Sequence, residues 1–184
     1  MSETLKVLES RRSCRAYKPE LIEEEKLQAI IKAGTYAATG MGKQSPIIIA
    51  VTNKEMRDRL SAMNAKIMGR GEDFDPFYGA PELLIVLADK NAATYIYDGS
   101  LVMGNLMNAA ADLGVDSCWI HRAKEEFESE EGKEILKSWQ KMRQVKISCG
   151  RNVKCQNKVE DYMKVNAKTG VKQTDWNGNK LINL

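Results

Sequence analysis

The sequence predicts one domain in which helices and strands alternate. The chain has 184 residues, the length of one ordinary domain, which can bury roughly 70% of its unfolded surface. Apolar residues at helical spacing alternate along it with short runs of β-branched residues. Taken alone, this alternation predicts a doubly wound α/β domain with a parallel central sheet.

Composition excludes several classes of protein. The chain is 43% hydrophobic and 29% charged, as soluble globular proteins are. Its longest apolar runs, Ile47–Val51 and Leu83–Ala88, are far shorter than the roughly 20 residues of a membrane span. The first residues lack a signal core, so a cytoplasmic location without membrane association is expected. Four scattered cysteines and one histidine make a poor zinc set, so reduced thiols and no metal are predicted.

The first quarter of the chain predicts two helices and a loop. Ser2 is a suitable N-cap for a short helix that ends at the basic cluster, residues 11–15. A second helix follows, with acidic residues in its first turn. Residues 37–46 contain two glycines and a proline and are predicted to form a loop. The second helix is predicted to bury Leu27, Ile30, Ile31 and Gly34 on one face.

Two buried strands and an intervening helix are predicted next. Ile47–Val51 and Leu83–Ala88 are apolar runs bounded by turn residues, which is typical of buried strands. Residues 69–81 contain glycines, prolines and aromatic residues and are predicted to be irregular and surface-lying. The intervening helix is indicated by Met56, Leu60, Met63 and Ile67, which recur at helical spacing.

The later part predicts two more helices and two more strands. Asp98–Leu113 is apolar almost all round, which predicts a helix buried in the core or at a subunit interface. A strand over Asp116–Ile120 and an exposed, acidic helix over Glu125–Trp139 follow. Alternation over Val145–Cys149 suggests one further strand.

No familiar catalytic motif is present, and the best candidate site is the basic cluster. Arg11, Arg12 and Arg15 offer forked donors that match phosphate oxygens, and Ser13 adds a hydroxyl. The glycine-rich loop shortly after it is of a kind that lets backbone approach a ligand. A phosphate monoester is therefore a suitable ligand. Most such clusters, however, are solvated basic patches after a helix.

The chain contains five segments that are informative together: residues 11–17, 39–44, 77–81, 98–113 and 114–120. In their order and spacing they resemble the nitroreductase family of FMN-dependent oxidoreductases. The resemblance implies a three-layer α+β fold, with a mostly antiparallel central sheet flanked by helices, and it takes precedence over the parallel sheet that the pattern suggests. It also implies a homodimer with FMN in a groove between the subunits.

The resemblance also implies which residues hold FMN. In the family an RRSxR-type segment holds the phosphate and ribityl chain, and a loop of the partner subunit touches the flavin ring. Backbone after the SCWI strand lies beside the reactive nitrogen. No side chain is implied as a catalyst, because a flavin carries the hydride chemistry itself. Carried over to this chain, the cofactor-binding residues are Arg11, Arg12, Ser13 and Arg15, then Ala38, Thr39, Gly40 and Gly42, and finally Ile120, His121 and Arg122.

Two loop positions depart from the family pattern. Ala38 stands where proline is usual, and Gly42 where asparagine is common, so an amide contact to the ring would be lost and backbone groups would serve instead. His121 is interpreted as a residue that lines the pocket, and general acid-base chemistry is the lesser alternative.

The implied activity is transfer of a hydride from NADH or NADPH, through FMN, to a nitroaromatic, a quinone or a similar flat acceptor. Two alternatives stay open. One is a catalytically silent FMN-binding or interaction protein. The other is a basic module that binds phosphate without flavin.

The C-terminal quarter differs from the rest of the chain. Residues 1–139 carry 18 basic and 22 acidic residues, whereas residues 140–184 carry 10 basic and 3 acidic ones. The resemblance is lost at the same place, so a single domain over 1–184 is expected with 140–184 departing from the family. A nucleic-acid tail is disfavoured, because the basic residues are dispersed and few aromatic residues accompany them.

Overall fold

The structure, a computed structural model, describes residues 2–71, 73–141 and 182–183. Apart from a 3-10 turn at Gly40–Gly42, the elements in chain order are α1 (Glu3–Ser10), α2 (Glu24–Gly34), β1 (Ile47–Val51), α3 (Lys54–Ile67), β2 (Leu83–Leu87), α4 (Tyr95–Asp112), α5 (Ala123–Glu128), α6 (Glu130–Lys141) and β3 (Ile182–Asn183).

β1 is the middle strand of the described sheet. It pairs antiparallel with β2, with Val51 opposite Leu83, and parallel with the short β3. The parallel sheet predicted from the alternation alone is therefore wrong for β1 and β2. Leu83 begins β2 and lies beside the end of β1. Helix α3 and the irregular segment after α3 therefore bring the chain back to the end of the sheet where β1 stops.

Helices cover both faces of β1, which gives the three layers that the family resemblance implies. Successive side chains of a strand point to opposite faces. Ile48 and Ala50 accordingly join a core with α2 and α4. Ile49 and Val51 join a second core with α3, α5 and α6.

Several predicted elements are confirmed. Helix α2 buries Leu27, Ile30, Ile31 and Gly34, and β1 has the predicted bounds. The Ser2 hydroxyl accepts a hydrogen bond from the Leu5 amide at 3.4 Å and caps α1. In α3, Leu60 and Met63 are buried, whereas Ile67 is largely exposed.

Two elements are less buried than predicted. In β2 only Ile85 is buried, because among the described strands β2 has a neighbour on one side only and an open cleft runs along it. Helix α4 begins three residues earlier than predicted and buries only one side. Its first three turns expose Ile96, Tyr97 and Leu101.

The strand predicted over Asp116–Ile120 is wrong for the described residues. Ser117 makes an isolated parallel bridge with Ser13, and its carbonyl accepts a hydrogen bond from the Cys14 amide at 3.1 Å. Within the described part of the chain the ladder goes no further, so the segment is extended without forming a strand.

The single helix predicted over Glu125–Trp139 is also wrong. Ser129 adopts extended dihedral angles, with φ −65° and ψ 159°, and separates α5 from α6. Its hydroxyl accepts a hydrogen bond from the Gly132 amide at 3.0 Å and thereby caps α6. The pair is not simply exposed either, because Phe127, Ile135 and Trp139 are buried.

The strand predicted over Val145–Cys149 lies outside the described residues. In the part of the chain that the structure describes, none of the helices has the length and apolar character needed to cross a bilayer.

Candidate functional site

A small cavity lies beside the end of α1. One wall is residues 10–14 and the other is residues 111–117, and the Ser13–Ser117 bridge joins them. Its volume is about 320 Å³. The structure thus places Arg11, Arg12 and Ser13 around one space, as the sequence predicts, whereas Arg15 is exposed and does not line it.

The two arginines of this cavity differ in their partners. Arg12 donates from Nη1 to the carbonyl oxygens of Glu9 at 2.7 Å and Arg11 at 2.9 Å, so it covers carbonyls at the end of α1. Arg11 has a buried Nη1 atom without a hydrogen-bond partner among the described residues. A buried, unpaired charged donor is costly, so this cavity suits an anionic guest. The carboxylate of Asp116 also lines it and opposes that charge preference.

A larger cleft of about 1060 Å³ adjoins the small cavity, and residues 114–117 line both. It runs along β2 and α4, and Ile120, His121 and Arg122 form part of its wall. Phe77 and Tyr78 also line it, but Phe74 does not. Residues 11–13 and residues 120–122 are two of the predicted cofactor-binding segments. They therefore meet within one chain, where the small cavity adjoins the long cleft.

Hydrogen bonds with α3 fix segment 120–122. Arg122 has a left-handed backbone, with φ 83°, a conformation that costs a non-glycine residue of order 1–3 kcal/mol. Its Nε atom donates to Asn64 Oδ1 at 2.9 Å. Asn64, only 1% exposed, donates from Nδ2 to the His121 carbonyl at 3.3 Å. One buried amide therefore fixes both the turn and the side chain that follows it.

Glu126 lies beside this anchor on α5. It is 4% exposed, and its Oε1 atom has no hydrogen-bond partner in the described ranges. Burial raises the pKa of its carboxyl to about 7, and the charge of Glu125 acts in the same direction. The hydrogen bond with Asn64 and the charge of Arg122 oppose this rise of the pKa. A titratable group with a pKa near neutrality thus contacts the anchor of segment 120–122.

Tyr17 stands between the two spaces. Its hydroxyl donates to the Cys14 carbonyl at 2.9 Å, and the residue lines the larger cleft. Burial raises the pKa of this phenol well above its usual value, and charges on Cys118, Cys14 and Asp116 raise it further, against the opposing effect of Arg15. Tyr17 is therefore a neutral hydroxyl at the junction.

The glycine-rich loop lies apart from both spaces. Ala38, Thr39, Gly40 and Gly42 line neither the small cavity nor the cleft. The Gly40 amide donates to Asp98 Oδ1 at 2.9 Å, and Thr94 Oγ1 donates to Asp98 Oδ2 at 2.9 Å. The loop is thus fixed to the start of α4.

Sequence reasoning missed three residues that shape this region. Asn64 and Glu126 are distant in sequence from the segment they support, and Asp98 was noted only as the start of a helix. One signal was available for Asn64, because it follows Met63 on the apolar side of α3, where a polar residue is unusual. Nothing local marks Glu126, which stands in a run of acidic residues.

Comparison with known proteins gives a consistent result. A family model described as "Nitroreductase family" matches residues 8–137. An Archaeoglobus fulgidus protein, provisionally named NADH dehydrogenase/NAD(P)H nitroreductase, is 30% identical over 125 residues, which cover 65% of this chain and 68% of that protein.

Two solved structures resemble this fold. The crystal structure of a nitroreductase with bound FMN from Bacteroides fragilis has 30% sequence identity and a TM-score of 0.68, and the match covers 75% of this chain and 80% of that one. An FMN-dependent nitroreductase from Clostridium difficile has 30% identity and a TM-score of 0.59, with 73% and 76% covered.

Proposed function

The chain belongs to the nitroreductase family, and on that premise we propose that it binds FMN and passes a hydride from NADH or NADPH to a nitroaromatic, a quinone or a similar flat acceptor. The observation that carries this proposal is Arg11, which lines the small cavity and has a buried Nη1 atom without a hydrogen-bond partner among the described residues. It is supported by the FMN that two similar proteins bind or depend on.

In this proposal the small cavity takes the phosphate. Arg11 has the free donor, Ser13 adds a hydroxyl, and Arg12 adds positive charge while its Nη1 covers the end of α1. Arg15 is exposed beside this cluster and would contribute through its charge. A phosphate held there by charge-assisted hydrogen bonds would compensate for the desolvation of Arg11.

The larger cleft takes the flat ring system and the substrates. FMN, when bound, supplies the hydride chemistry, so the protein needs to supply position, an open face and electrostatic tuning. Ile120, His121 and Arg122 serve as a rigid wall, because Asn64 of α3 binds the His121 carbonyl and the Arg122 side chain. His121 is exposed and needs no catalytic role here.

We also propose a homodimer in which each subunit lends its glycine-rich loop to the other. The loop with Ala38, Thr39, Gly40 and Gly42 reaches neither space of its own chain, and Met41 at its tip is 84% exposed. Asp98 fixes this loop to α4, whose exposed face carries Ile96, Tyr97 and Leu101. A second copy that covers this apolar face would be adjacent to the loop.

The first experiment is reconstitution of the full-length protein. Added FMN should bind and give a yellow protein, and NADH or NADPH should bleach it without oxygen. Colour without bleaching by either nucleotide would favour the silent FMN-binding protein. Binding of inorganic phosphate without uptake of FMN would favour the phosphate-binding module and refute the proposed activity.

Arg11→Glu should raise the Kd for FMN about 100-fold, because it replaces the unpaired cation of the cavity with a carboxylate. Fluorescence titration with FMN measures the Kd. Lys32→Glu is the matched control, since Lys32 is exposed at the end of α2 and lines neither space. An unchanged Kd in Arg11→Glu would refute the role assigned to Arg11.

A further inference from the structure

Two cysteines directly follow the two residues of the bridge that joins the walls of the small cavity. The bridge pairs Ser13 with Ser117 in parallel, so the next residues in the same register are Cys14 and Cys118. Both thiols are free and partly buried. They come from segments about a hundred residues apart in the chain, and the fold brings them together.

The bridge geometry suits a bond between these two residues. Neighbouring strands lie about 4.7–4.9 Å apart, and disulfides join residues whose Cα atoms are about 4.4–6.8 Å apart. Residues opposite each other in a parallel pair point to the same side. The Cys14 amide donates to the Ser117 carbonyl at 3.1 Å, which fixes the register immediately beside the pair.

Tyr17 lies near both thiols. Its hydroxyl donates to the Cys14 carbonyl at 2.9 Å. After burial, the two leading causes of its raised pKa are charges on Cys118 and on Cys14. Both thiols are therefore within electrostatic range of the same phenol.

The present partners of the thiols are weak. Cys14 Sγ donates to the Ala16 carbonyl at 3.1 Å, and Cys118 Sγ donates to the Trp119 carbonyl at 3.8 Å. A thiol is a weak donor, so little hydrogen bonding is lost when a sulfur atom rotates toward the other.

We propose that Cys14 and Cys118 form a reversible oxidation site, in which hydrogen peroxide converts the two thiols into a disulfide that ties the walls of the small cavity together. One thiolate attacks a peroxide oxygen, the O–O bond breaks, and water leaves once the departing hydroxide is protonated. The other thiol then displaces the hydroxyl of the resulting sulfenic acid as water, so that an S–S bond replaces the S–O bond. The pair loses two electrons and one peroxide becomes two waters.

This bond would act on the cavity directly. Cys14 belongs to the wall that carries Arg11 and Arg12, and Cys118 follows the wall formed by residues 111–117. Oxidation would hold the two walls at one separation, and reduction by a dithiol would release them. The proposal concerns the protein itself and stands whether or not the chain binds FMN.

Peptide mapping of the full-length protein tests the bond. The folded, reduced protein is treated with one equivalent of hydrogen peroxide, the remaining thiols are alkylated, and trypsin is added. Cleavage at Arg12, Arg15, Lys90 and Arg122 gives the peptides 13–15 and 91–122. We expect these two joined, at the sum of their masses less two hydrogens, and separated after dithiothreitol.

The peptides that contain Cys149 and Cys155 report on selectivity in the same digest. Links from Cys14 or Cys118 to those residues, or sulfinic acids without the link between 13–15 and 91–122, would overturn the proposal. A link that forms only in denaturant would overturn it too, because it would not arise from the folded register.

Thermal unfolding gives the second measurement. A disulfide that closes a loop of about a hundred residues should raise the Tm of the peroxide-treated protein by about 5 °C or more. Cys14→Ser and Cys118→Ser should each abolish this rise, whereas the double variant Cys149→Ser/Cys155→Ser should keep it. A rise that persists in both single variants would refute the assignment.

Discussion

The two layers that enclose β1 bury different chemistry. Toward α2 and α4 the core is hydrocarbon throughout, and the buried polar residues on that side, Thr35 and Asp98, lie at helix ends. Toward α3, α5 and α6, polar Asn64 and Glu126 are buried within helices. The first layer therefore supports the fold mainly through packing, with Asp98 fixing the glycine-rich loop at its edge, whereas the second also positions a wall of the candidate site.

A second polar group strengthens this contrast. Arg57 of α3 is buried and contacts Asp75 through Nη2 at 2.5 Å. The Ser61 hydroxyl donates to the other oxygen of Asp75 at 2.8 Å. Asp75 also accepts the amides of Phe77 and Gly79, so this ion pair fixes the irregular segment before β2 to α3. On this side, buried polar residues of α3 thus fix two loops, segment 120–122 through Asn64 and the segment before β2 through Arg57 and Ser61.

The largest effect should come from the hydrocarbon layer. Leu106→Ala should lower the free energy of unfolding by about 2–5 kcal/mol, because it leaves a cavity between α4, α2 and β1. The loss should be the same at pH 5 and pH 8, which urea unfolding at both values measures. Leu5→Ala, at an exposed position of α1, is the control and should cost under about 1 kcal/mol. A loss that depends on pH would contradict the contrast.

The polar layer should make stability depend on pH. The pKa of Glu126 is raised from its ordinary 4.5 to about 7 in the folded protein, so the unfolded chain loses this proton first as the pH rises. Its protonated form is stabilising below pH 4.5, and that stabilisation is lost as the pH rises to about 7. The total is about 3 kcal/mol.

Glu126→Gln should remove this loss, because a neutral amide resembles the protonated acid. The measurement is the free energy of unfolding from pH 4.5 to pH 8 for the wild type and the variant. Glu134→Gln, at an exposed position of α6 whose charge is not among the causes of the Glu126 shift, should keep the wild-type slope. A variant that retains the slope would show that Glu126 is not its source.

The smallest effect concerns the stability of the same layer at acid pH. Burial acts to raise the pKa of Asp75, but hydrogen bonds with Arg57, Ser61, Gly79 and Phe77 outweigh it and hold the pKa below its usual range. Its stabilisation is therefore present above the unfolded pKa and is lost as the pH falls through the folded one.

Ser61→Ala removes one of these bonds and should cost about 1 kcal/mol at pH 7. Because the folded pKa of Asp75 rises, acid unfolding of the variant should begin at a higher pH. Ser100→Ala in α4, whose hydroxyl donates to the Ile96 carbonyl at 2.8 Å, is the matched control. An acid midpoint equal in both serine variants would contradict the role given to Ser61.

Local periodicity predicts the hydrocarbon layer well and the polar layer poorly. The buried face of α2 follows directly from the spacing of Leu27, Ile30 and Ile31, since one helix face is enough to state it. The pairing of Asn64 with Arg122 depends on two segments 58 positions apart, and no local pattern contains that information.

The boundaries that were wrong have local and long-range causes. Ser129 caps α6 and is followed by Glu130 and Glu131, an N-terminal signature that was present in the sequence. Segment 116–120 ends in the apolar residues Cys118, Trp119 and Ile120 and is predicted to be a strand, but the structure gives it a single described partner, Ser13. A strand needs a neighbour along its whole length, and that condition is not visible in the segment itself.

The junction of α5 and α6 sets a limit on how this chain can diverge. At Gly132 a Cβ atom would stand 1.9 Å from the Glu126 carbonyl oxygen, which is backbone and cannot rotate away. In a saturation library every substitution at this position should therefore be depleted, alanine included, although alanine is the best helix former. Substitutions at the neighbouring Glu131 and Lys133, which are exposed, should be tolerated. Among these three positions in the first turn of α6, only Gly132 should therefore be intolerant of substitution.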